Sequence, residues 1–309
     1  MGIAFLFPGQ GSQIPGMLHT LPDHPVIRKT LDEVSQILGS HIQDLDSASA
    51  LESTVSVQLA LLSAGVATAR TLVAEGVEPQ GVAGLSVGAF AAGVQSGVIE
   101  LSDAVRLVQH RAEMMASLYP NGYGLSSIIG LTEQQVAQLV NDVHTADAPV
   151  YLGNINAPRQ IVIAGSDAGM TKVLAAAQRI GARKVERLHV PVPSHCPLLE
   201  PVAASLRTML RAMTIHQPTT VYVGNVTARA LRTPEAIAED LVSNIAHGVR
   251  WFDATTVLEE LGCRLFFEMP SGHVLRELAR EAQPEVRALS IGESTIPYAL
   301  RLASQLHDL

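Results

Sequence analysis

An alternation of short apolar runs and longer helical segments is the feature that most restricts how this 309-residue chain can fold. Residues 3–7 form a continuous apolar run that ends at Pro8, as a buried strand does. Helical periodicity follows at 26–38 and at 55–75, before a second apolar run at 81–84. Strands that alternate with helices in this way favour an α/β fold with a mainly parallel sheet.

Residues 124–193 follow a different order. The pattern predicts a strand, a helix, two strands around a turn, a second helix and a last strand, at 124–131, 133–144, 150–165, 167–182 and 183–193. This β-α-β-β-α-β order is typical of ferredoxin-like domains. We therefore expect a small domain at 124–193, inserted in a larger domain that residues 1–123 and 194–309 form.

Composition excludes several classes of function. The formal net charge is −8 and aromatic residues make up only 4%, so neither phosphate neutralisation nor base stacking favours nucleic-acid binding. Two cysteines in a chain of this length predict no disulfide scaffold, and the N-terminus has no basic leader, so we expect a cytoplasmic protein. Polar residues interrupt the apolar stretch 59–74, which favours a buried helix over a membrane span.

The strongest local motif is a G-x-S-x-G sequence at Gly84–Gly88, between a predicted strand and a predicted helix. The flanking glycines permit a tight turn that exposes Ser86 at a helix N-terminus, where backbone N–H groups can stabilise an oxyanion. An ordinary strand–helix turn would also use glycine for close packing. The strand and helix on either side favour a nucleophilic serine.

A serine nucleophile needs a base that removes its proton. His195 lies on a proline-framed loop, VPVPSHCPLL, after a predicted strand, and such stiff loops position catalytic groups. A capping or core histidine is the alternative that the spacing leaves open. The neighbouring Cys196 fits a small buried thiol better than a nucleophile.

One arginine falls within an apolar helical stripe. Arg111 shares a face of the predicted helix 103–118, which Ser102 would cap, with leucine, valine and methionine side chains. A guanidinium that faces inward needs an anionic or hydrogen-bonding partner. A structural salt bridge or a snorkelling side chain explains the pattern as well as a clamp for a substrate carboxylate does.

The loop after the first strand, GQGSQ at 9–13, resembles part of a dinucleotide fingerprint. Ile14 stands where the third glycine belongs, and no acidic residue follows at the expected distance, so we expect no nicotinamide site. The backbone N–H of Gln10 could instead contribute to an oxyanion hole. The sequence contains neither HExxH nor CxxC, and we expect no metal site.

Six motifs occur along the chain in one order: FPGQGSQ, GLSVG, LVQHRAEMM, NINAPRQIVIAG, VPVPSHCPLL and FFEMPSGHVL. Together they resemble the malonyl-CoA:acyl carrier protein transacylase family over nearly the whole length. The resemblance implies an α/β-hydrolase-like large domain with a ferredoxin-like insertion. It also implies malonyl transfer from malonyl-CoA to an acyl carrier protein, with no tightly bound cofactor and neither nucleic acid nor membrane as partner.

The resemblance assigns the catalytic pair. Ser86 matches the serine that carries the acyl group, and His195 matches its base. In this family a main-chain carbonyl, instead of an aspartate, orients the histidine. We expect that carbonyl near Leu261.

The resemblance also implies residues that bind substrate. Arg111 matches the arginine that pairs with the malonyl carboxylate, and the backbone N–H groups of Gln10 and Val87 match the oxyanion hole. Asn156, within the NINAPRQIVIAG motif, is expected to line the substrate site.

The elbow departs from the G-H-S-x-G-E pattern of the family, because Leu85 replaces the histidine and Ala89 the glutamate. The stretch GLSVGAFAAGV is similar to the epsilon transacylase subunit of bacterial malonate decarboxylase, which serves a carrier with a dephospho-CoA-derived prosthetic group. We therefore favour that subunit, with the fatty-acid transacylase as the alternative. An α/β-hydrolase-type thioesterase and a non-catalytic carrier-binding scaffold are the remaining rivals.

An acidic carrier would need a basic docking patch, since this chain is itself acidic. The candidates in the small domain are Arg179, Arg183, Lys184 and Arg187. A merely solvated surface explains these residues equally well.

Overall fold

The computed structural model describes residues 1–307, which form two β-sheets and eleven α-helices. The strands are β1 (Gly2–Phe7), β2 (Gly81–Gly84), β3 (Tyr123–Ile129), β4 (Val150–Ala157), β5 (Gln160–Ser166), β6 (Lys184–Arg187), β7 (Val221–Val223), β8 (Ala230–Leu231), β9 (Cys263–Glu268) and β10 (Arg287–Ser290). The helices are α1 (Pro25–Leu38), α2 (Thr54–Ala74), α3 (Gly88–Gln95), α4 (Leu101–Leu118), α5 (Glu133–Val143), α6 (Asp167–Arg179), α7 (Glu200–Leu210), α8 (Pro234–Ser243), α9 (Trp251–Glu260), α10 (Val274–Ala282) and α11 (Ile296–His307).

The larger sheet has six strands in the order β10-β9-β1-β2-β7-β8. All neighbours in it are parallel except β7 and β8, so the predicted α/β fold with a mainly parallel sheet is confirmed. Phe7 at the end of β1 pairs with Gly84 at the end of β2. The loops that follow these strands therefore meet at the carboxyl edge of the sheet, where ligands bind in open α/β folds.

The smaller sheet is antiparallel, with strand order β4-β5-β3-β6. Its elements follow the predicted sequence β3-α5-β4-β5-α6-β6. The Ile155 N–H donates to the Val249 carbonyl at 2.8 Å and joins β4 to the segment before α9. The domain limits at 123/124 and 193/194 stay a prediction.

Helix α2 lies in the core of the part of the fold that contains the six-stranded sheet. Its length and composition would suffice to cross a membrane, but 83% of its most apolar window is buried inside the fold. A helix that is apolar all round is stable when neighbouring elements cover it on every side. The interpretation as a buried helix therefore agrees with the structure.

Several boundaries differ from the predicted ones. Helix α4 begins at Leu101 with Glu100 at its N-cap, so Ser102 lies within the first turn and does not cap it. The strand predicted at 183–193 is shorter in the structure: β6 runs from Lys184 to Arg187, and the segment with Pro191 and Pro193 beyond it is a loop.

The C-terminal third contains elements that the pattern did not predict. Helix α8 was missed although Thr233 caps it and Pro234 occupies its first position, a combination that favours a helix start. Helix α10, strand β10 and helix α11 follow β9 and complete the described chain.

Candidate functional site

Ser86 lies on the turn between β2 and α3, in a left-handed backbone conformation with φ of 57° that L-residues rarely adopt. A Cβ on Gly84 would lie 2.1 Å from the backbone of Gly88, and a Cβ on Gly88 would lie 2.2 Å from the Phe7 carbonyl oxygen. Only glycine fits at both positions. The sequence therefore forms the sharp strand–turn–helix elbow that presents a serine at a helix N-terminus.

The structure brings His195 to this elbow. Its Nε2 lies 2.8 Å from the Ser86 Oγ, and its side chain is buried. The backbone N–H of His195 donates to the Ile245 carbonyl at 2.8 Å, which fixes the loop against the segment after α8. The Ser86 hydroxyl and the imidazole thus have the separation that proton transfer requires.

The other imidazole nitrogen determines the tautomer. His195 Nδ1 lies 2.6 Å from the backbone carbonyl oxygen of Asn244, and because a carbonyl only accepts, Nδ1 carries the proton. Nε2 is then free to accept the proton of the Ser86 hydroxyl. Since Asn244 is the C-cap of α8, this carbonyl also carries the partial negative charge of a helix C-terminus, which stabilises an imidazolium.

The expectation that a carbonyl near Leu261 orients the histidine is wrong. Leu261 is the C-cap of α9 and is exposed, and the carbonyl that contacts His195 belongs to Asn244. The group is supplied by the C-terminus of α8, a helix that the sequence pattern does not predict. The general expectation of a main-chain carbonyl agrees with this contact.

The imidazole is neutral at neutral pH. Burial, together with the positive charge of Arg111, lowers the pKa of His195 to about 4. Within residues 1–307, no carboxylate forms a hydrogen bond or an ion pair with His195 that would oppose this shift. A neutral imidazole beside a hydroxyl has the protonation state that a general base needs.

Arg111, on α4, is a buried cation at the same point. Its Nη2 donates to Ser86 Oγ at 3.1 Å, its Nη1 donates to the Oε1 of Gln58, and its Nε has no partner. The side chain is 1% exposed, and burial lowers its pKa to about 9. Among the described ion pairs none includes Arg111, so a structural salt bridge does not explain its burial. An unpaired guanidinium beside the serine is a binding position for an anion.

The sequence pattern did not identify Gln58, which holds Arg111 in place. Gln58 is fully buried on α2, and its Nε2 donates to Thr54 Oγ1 at 3.2 Å. Thr54 in turn donates to the Gln10 Oε1 at 2.9 Å. A glutamine within a mostly apolar helix is the sequence signal that could have identified this network, since a buried amide needs partners.

Two backbone N–H groups flank the serine without an acceptor. In the part of the chain that the structure describes, no backbone hydrogen bond uses the N–H of Gln10 or Val87. The N–H of Ser86 itself donates to the Asn225 Oδ1 at 3.1 Å and is therefore occupied. Val87 is the N-cap of α3 and Gln10 lies in the loop after β1, and free N–H groups beside a nucleophile can stabilise an oxyanion.

Two other residues singled out in the sequence make no hydrogen bond to the catalytic pair, and a role of Asn156 in substrate binding stays a prediction. Asn156 is buried on β4 with its Oδ1 unpaired, and no contact joins it to Ser86, His195 or Arg111 among the described hydrogen bonds. Cys196 is buried, and burial raises its pKa to about 12, so its thiol carries almost no thiolate at neutral pH.

A cleft of about 480 Å³, here called the Gln10 cleft, opens at the loop that follows β1. Its lining consists of Gln10, Gln13, Leu51, Glu52 and residues 187–191. The cleft lies between the first loops of the large part and the segment that leaves the small sheet. Among its lining residues, Gln10 belongs to the network that ends at Arg111, because its Oε1 accepts the hydrogen bond of Thr54.

The predicted basic patch is partly neutralised. Arg187 pairs with Asp167 at 2.8 Å and donates to the Tyr123 carbonyl, and Lys184 pairs with Glu186. Arg187 therefore has a structural role in the small sheet. Among residues 1–307, no cluster of three or more histidine, cysteine, aspartate or glutamate side chains is placed to hold a metal ion.

Comparison with known proteins gives a consistent family. Residues 4–293 match the acyl transferase domain family. The chain is 34% identical to a malonyl CoA-acyl carrier protein transacylase of Escherichia coli strain K12, over 98% of this chain and 99% of that protein. A Bacillus subtilis protein of the same name is 30% identical, over 99% and 98% of the two chains.

Solved structures agree with this result. A malonyl CoA-acyl carrier protein transacylase from Coxiella burnetii superposes with a TM-score of 0.94 at 31% identity, over 99% of this chain and 98% of the other. A malonyl-transacylase solved in complex with a type II PKS acyl-carrier protein has a TM-score of 0.93 at 32% identity, over 98% and 100%.

Proposed function

Because this chain belongs to the acyl transferase domain family, we propose that it moves malonyl groups from malonyl-CoA to the thiol of an acyl carrier protein through a Ser86 acyl-enzyme. The observation that carries the proposal is a buried guanidinium without a carboxylate partner, 3.1 Å from the Ser86 Oγ. An acyl group with a free carboxylate would supply the missing anion. The chain is an acyltransferase that needs no tightly bound cofactor.

The first half-reaction acylates the serine. The His195 Nε2 takes the proton of Ser86, and Oγ attacks the thioester carbonyl carbon of malonyl-CoA. The N–H groups of Gln10 and Val87 stabilise the oxyanion, while Arg111 holds the malonyl carboxylate. The C–S bond then breaks, and CoA leaves as a thiol with the proton from His195.

The second half-reaction reverses these steps with a new thiol. The carrier's prosthetic-group thiol gives its proton to His195, and its sulfur attacks the Ser86 ester. When the tetrahedral intermediate collapses, the Ser86 Oγ leaves and regains a proton from His195. The acyl-enzyme must exclude water between the two steps, and the burial of Arg111 and His195 supports this.

We propose the fatty-acid type of carrier in preference to the malonate decarboxylase carrier that the elbow sequence suggested. The relatives described above are transacylases by name, which supports this alternative more than the decarboxylase subunit. The replacements at Leu85 and Ala89 then concern only the environment of the elbow. We also propose an α/β-hydrolase-like unit of residues 1–123 and 194–309, which the elbow at the end of β2 supports.

The test compares transfer from malonyl-CoA to two holo carriers. One is a fatty-acid acyl carrier protein, and the other is a malonate decarboxylase carrier with its own prosthetic group. We expect malonyl transfer to the first at a higher kcat/KM, with little release of free malonate. Preference for the second carrier would restore the decarboxylase subunit, and rapid hydrolysis without any carrier would indicate a thioesterase.

A further inference from the structure

Asp240, on α8, is a buried carboxylate without a cation. It is 5% exposed, and no positive side chain of the described chain contributes to its environment. Its Oδ2 accepts hydrogen bonds from the Tyr222 hydroxyl at 2.9 Å and the Asn225 N–H at 3.0 Å, and its Oδ1 accepts the Val226 N–H at 3.1 Å. These donors offset the cost of removing a carboxylate from water.

The Asp240 carboxylate holds a loop that in turn contacts the backbone of Ser86. Two of the three donors to Asp240 are backbone groups of the loop 224–226. The side chain of Asn225, in the same loop, accepts the N–H of Ser86 at 3.1 Å. The loop is packed tightly on the carboxylate, because a Cβ on Gly224 would lie 2.9 Å from the Asp240 Oδ1. The carboxylate therefore fixes the group that holds the elbow.

Asp240 also lies in the last turns of the helix whose C-terminus contacts His195. The backbone carbonyl of Asp240 accepts the N–H and the Nδ2 of Asn244, at 3.1 and 3.0 Å, in the last turn of α8. The Asn244 carbonyl then accepts the His195 Nδ1 at 2.6 Å. Asp240 thus stands on the helix whose end orients the base.

We propose that Asp240 is a positioning residue whose side chain links the loop that holds Ser86 to the helix that orients His195. This inference rests on the proposed function, since Asp240 acts through Asn225 and Asn244 and does not contact substrate. Without the carboxylate, the loop 224–226 and the end of α8 lose their common anchor. A displacement of about 1 Å between catalytic groups costs about 100-fold in rate.

The test compares Asp240→Ala, Asp240→Asn and Tyr222→Phe in the full chain. Tyr222→Phe is the matched control, because it removes one donor to the same carboxylate and leaves both bonds to the loop 224–226. Two rates are measured: malonylation in a single turnover, and covalent labelling of Ser86 by a fluorophosphonate. The second rate depends on activation of the serine and needs no malonyl group. Thermal unfolding gives the stability of each variant.

We expect Asp240→Ala to slow both malonylation and labelling by about 10- to 100-fold while the KM for malonyl-CoA stays near the wild-type value. Tyr222→Phe should lower Tm but keep most of the labelling rate. Asp240→Asn keeps one acceptor oxygen, so its labelling rate should lie between those of Asp240→Ala and Tyr222→Phe. If the alanine variant does not fold, Asp240→Asn takes its place in the comparison.

Two results would overturn the inference: wild-type labelling in both Asp240 variants, or equal slowing in Asp240→Asn and Tyr222→Phe at equal Tm. Failure of the proposed function would look different. The wild-type chain would then react with the fluorophosphonate but take no malonyl group, and the labelling rates would still decide the role of Asp240.

Discussion

The Arg111 Nη2 donates a hydrogen bond to the Ser86 Oγ at 3.1 Å, so the buried cation and the elbow serine share one point of the structure. Gln58 fixes one side of the guanidinium, and the Nε on another side stays unpaired. An acyl group on Ser86 therefore comes to lie beside a cation that has no other charge to neutralise. We propose that this relationship selects acyl groups that carry a carboxylate.

Arg111→Ala should reduce transfer of malonyl more than transfer of acetyl. We expect kcat/KM for malonyl-CoA to fall roughly 10- to 100-fold, because the malonyl carboxylate loses its charge-assisted hydrogen bonds to the guanidinium. Acetyl has no carboxylate and makes no such bonds, so its transfer should fall less. Arg106→Ala on the same helix is the matched control, because Arg106 is exposed and pairs with Asp103. Equal losses for both acyl groups would return Arg111 to a structural role.

The rate of serine activation should stay constant from neutral pH down towards pH 4. The pKa of His195 is lowered to about 4 by burial and by Arg111, so the imidazole becomes protonated, and loses its ability to accept a proton, only near that pH. Labelling of Ser86 by a fluorophosphonate across the pH range measures this limb. In Arg111→Ala the limb should move to higher pH, because one cause of the shift is absent. A wild-type midpoint near the usual histidine value would contradict this account.

Gly88→Ala should destabilise the whole fold. The added Cβ would lie 2.2 Å from the Phe7 carbonyl oxygen, so the elbow and β1 must separate. We expect a loss of more than about 3 kcal/mol of unfolding free energy, measured by denaturant unfolding. Ala91→Gly on the same helix is the control, with an expected loss of about 1 kcal/mol. A Gly88→Ala loss no larger than that of the control would show that the close approach is not required.

Lys184→Glu should raise the KM for an acidic carrier and leave acylation by malonyl-CoA unchanged. Lys184 is exposed on the edge strand β6, whereas Arg187 holds the small sheet together through Tyr123 and Asp167. Steady-state kinetics with the holo carrier measure the effect. Lys29→Glu on α1 changes the net charge equally and serves as control. If both variants respond alike, the carrier docks elsewhere.

The sequence predicts those parts of the site that depend only on residues close together in the chain. Gly84, Ser86 and Gly88 lie within five residues of one another, so local steric constraints are enough to predict an elbow. His195 was found through its stiff loop, but its distance from Ser86 depends on the loop's contact with Ile245, which no local pattern contains.

Long-range partners lie beyond such patterns. The carbonyl of Asn244 reaches His195 only because α8 ends beside it, and no local pattern around His195 identifies Asn244 in place of Leu261. Gln58 is one of several polar residues in α2, and its contact with Arg111 exists only because α2 packs against α4. Whether Arg111 forms a salt bridge likewise depends on which side chains surround it in the folded protein, and there it has no carboxylate partner.

The most direct test of the central claim is covalent labelling of the chain by radiolabelled malonyl-CoA in the absence of carrier. Wild-type protein and Ser205→Ala should take up one malonyl group each. Ser205 is the control because it forms the other close serine–histidine contact, 2.7 Å from His110. Ser86→Ala should take up none, and a covalent malonyl group that persists on Ser86→Ala would contradict the account.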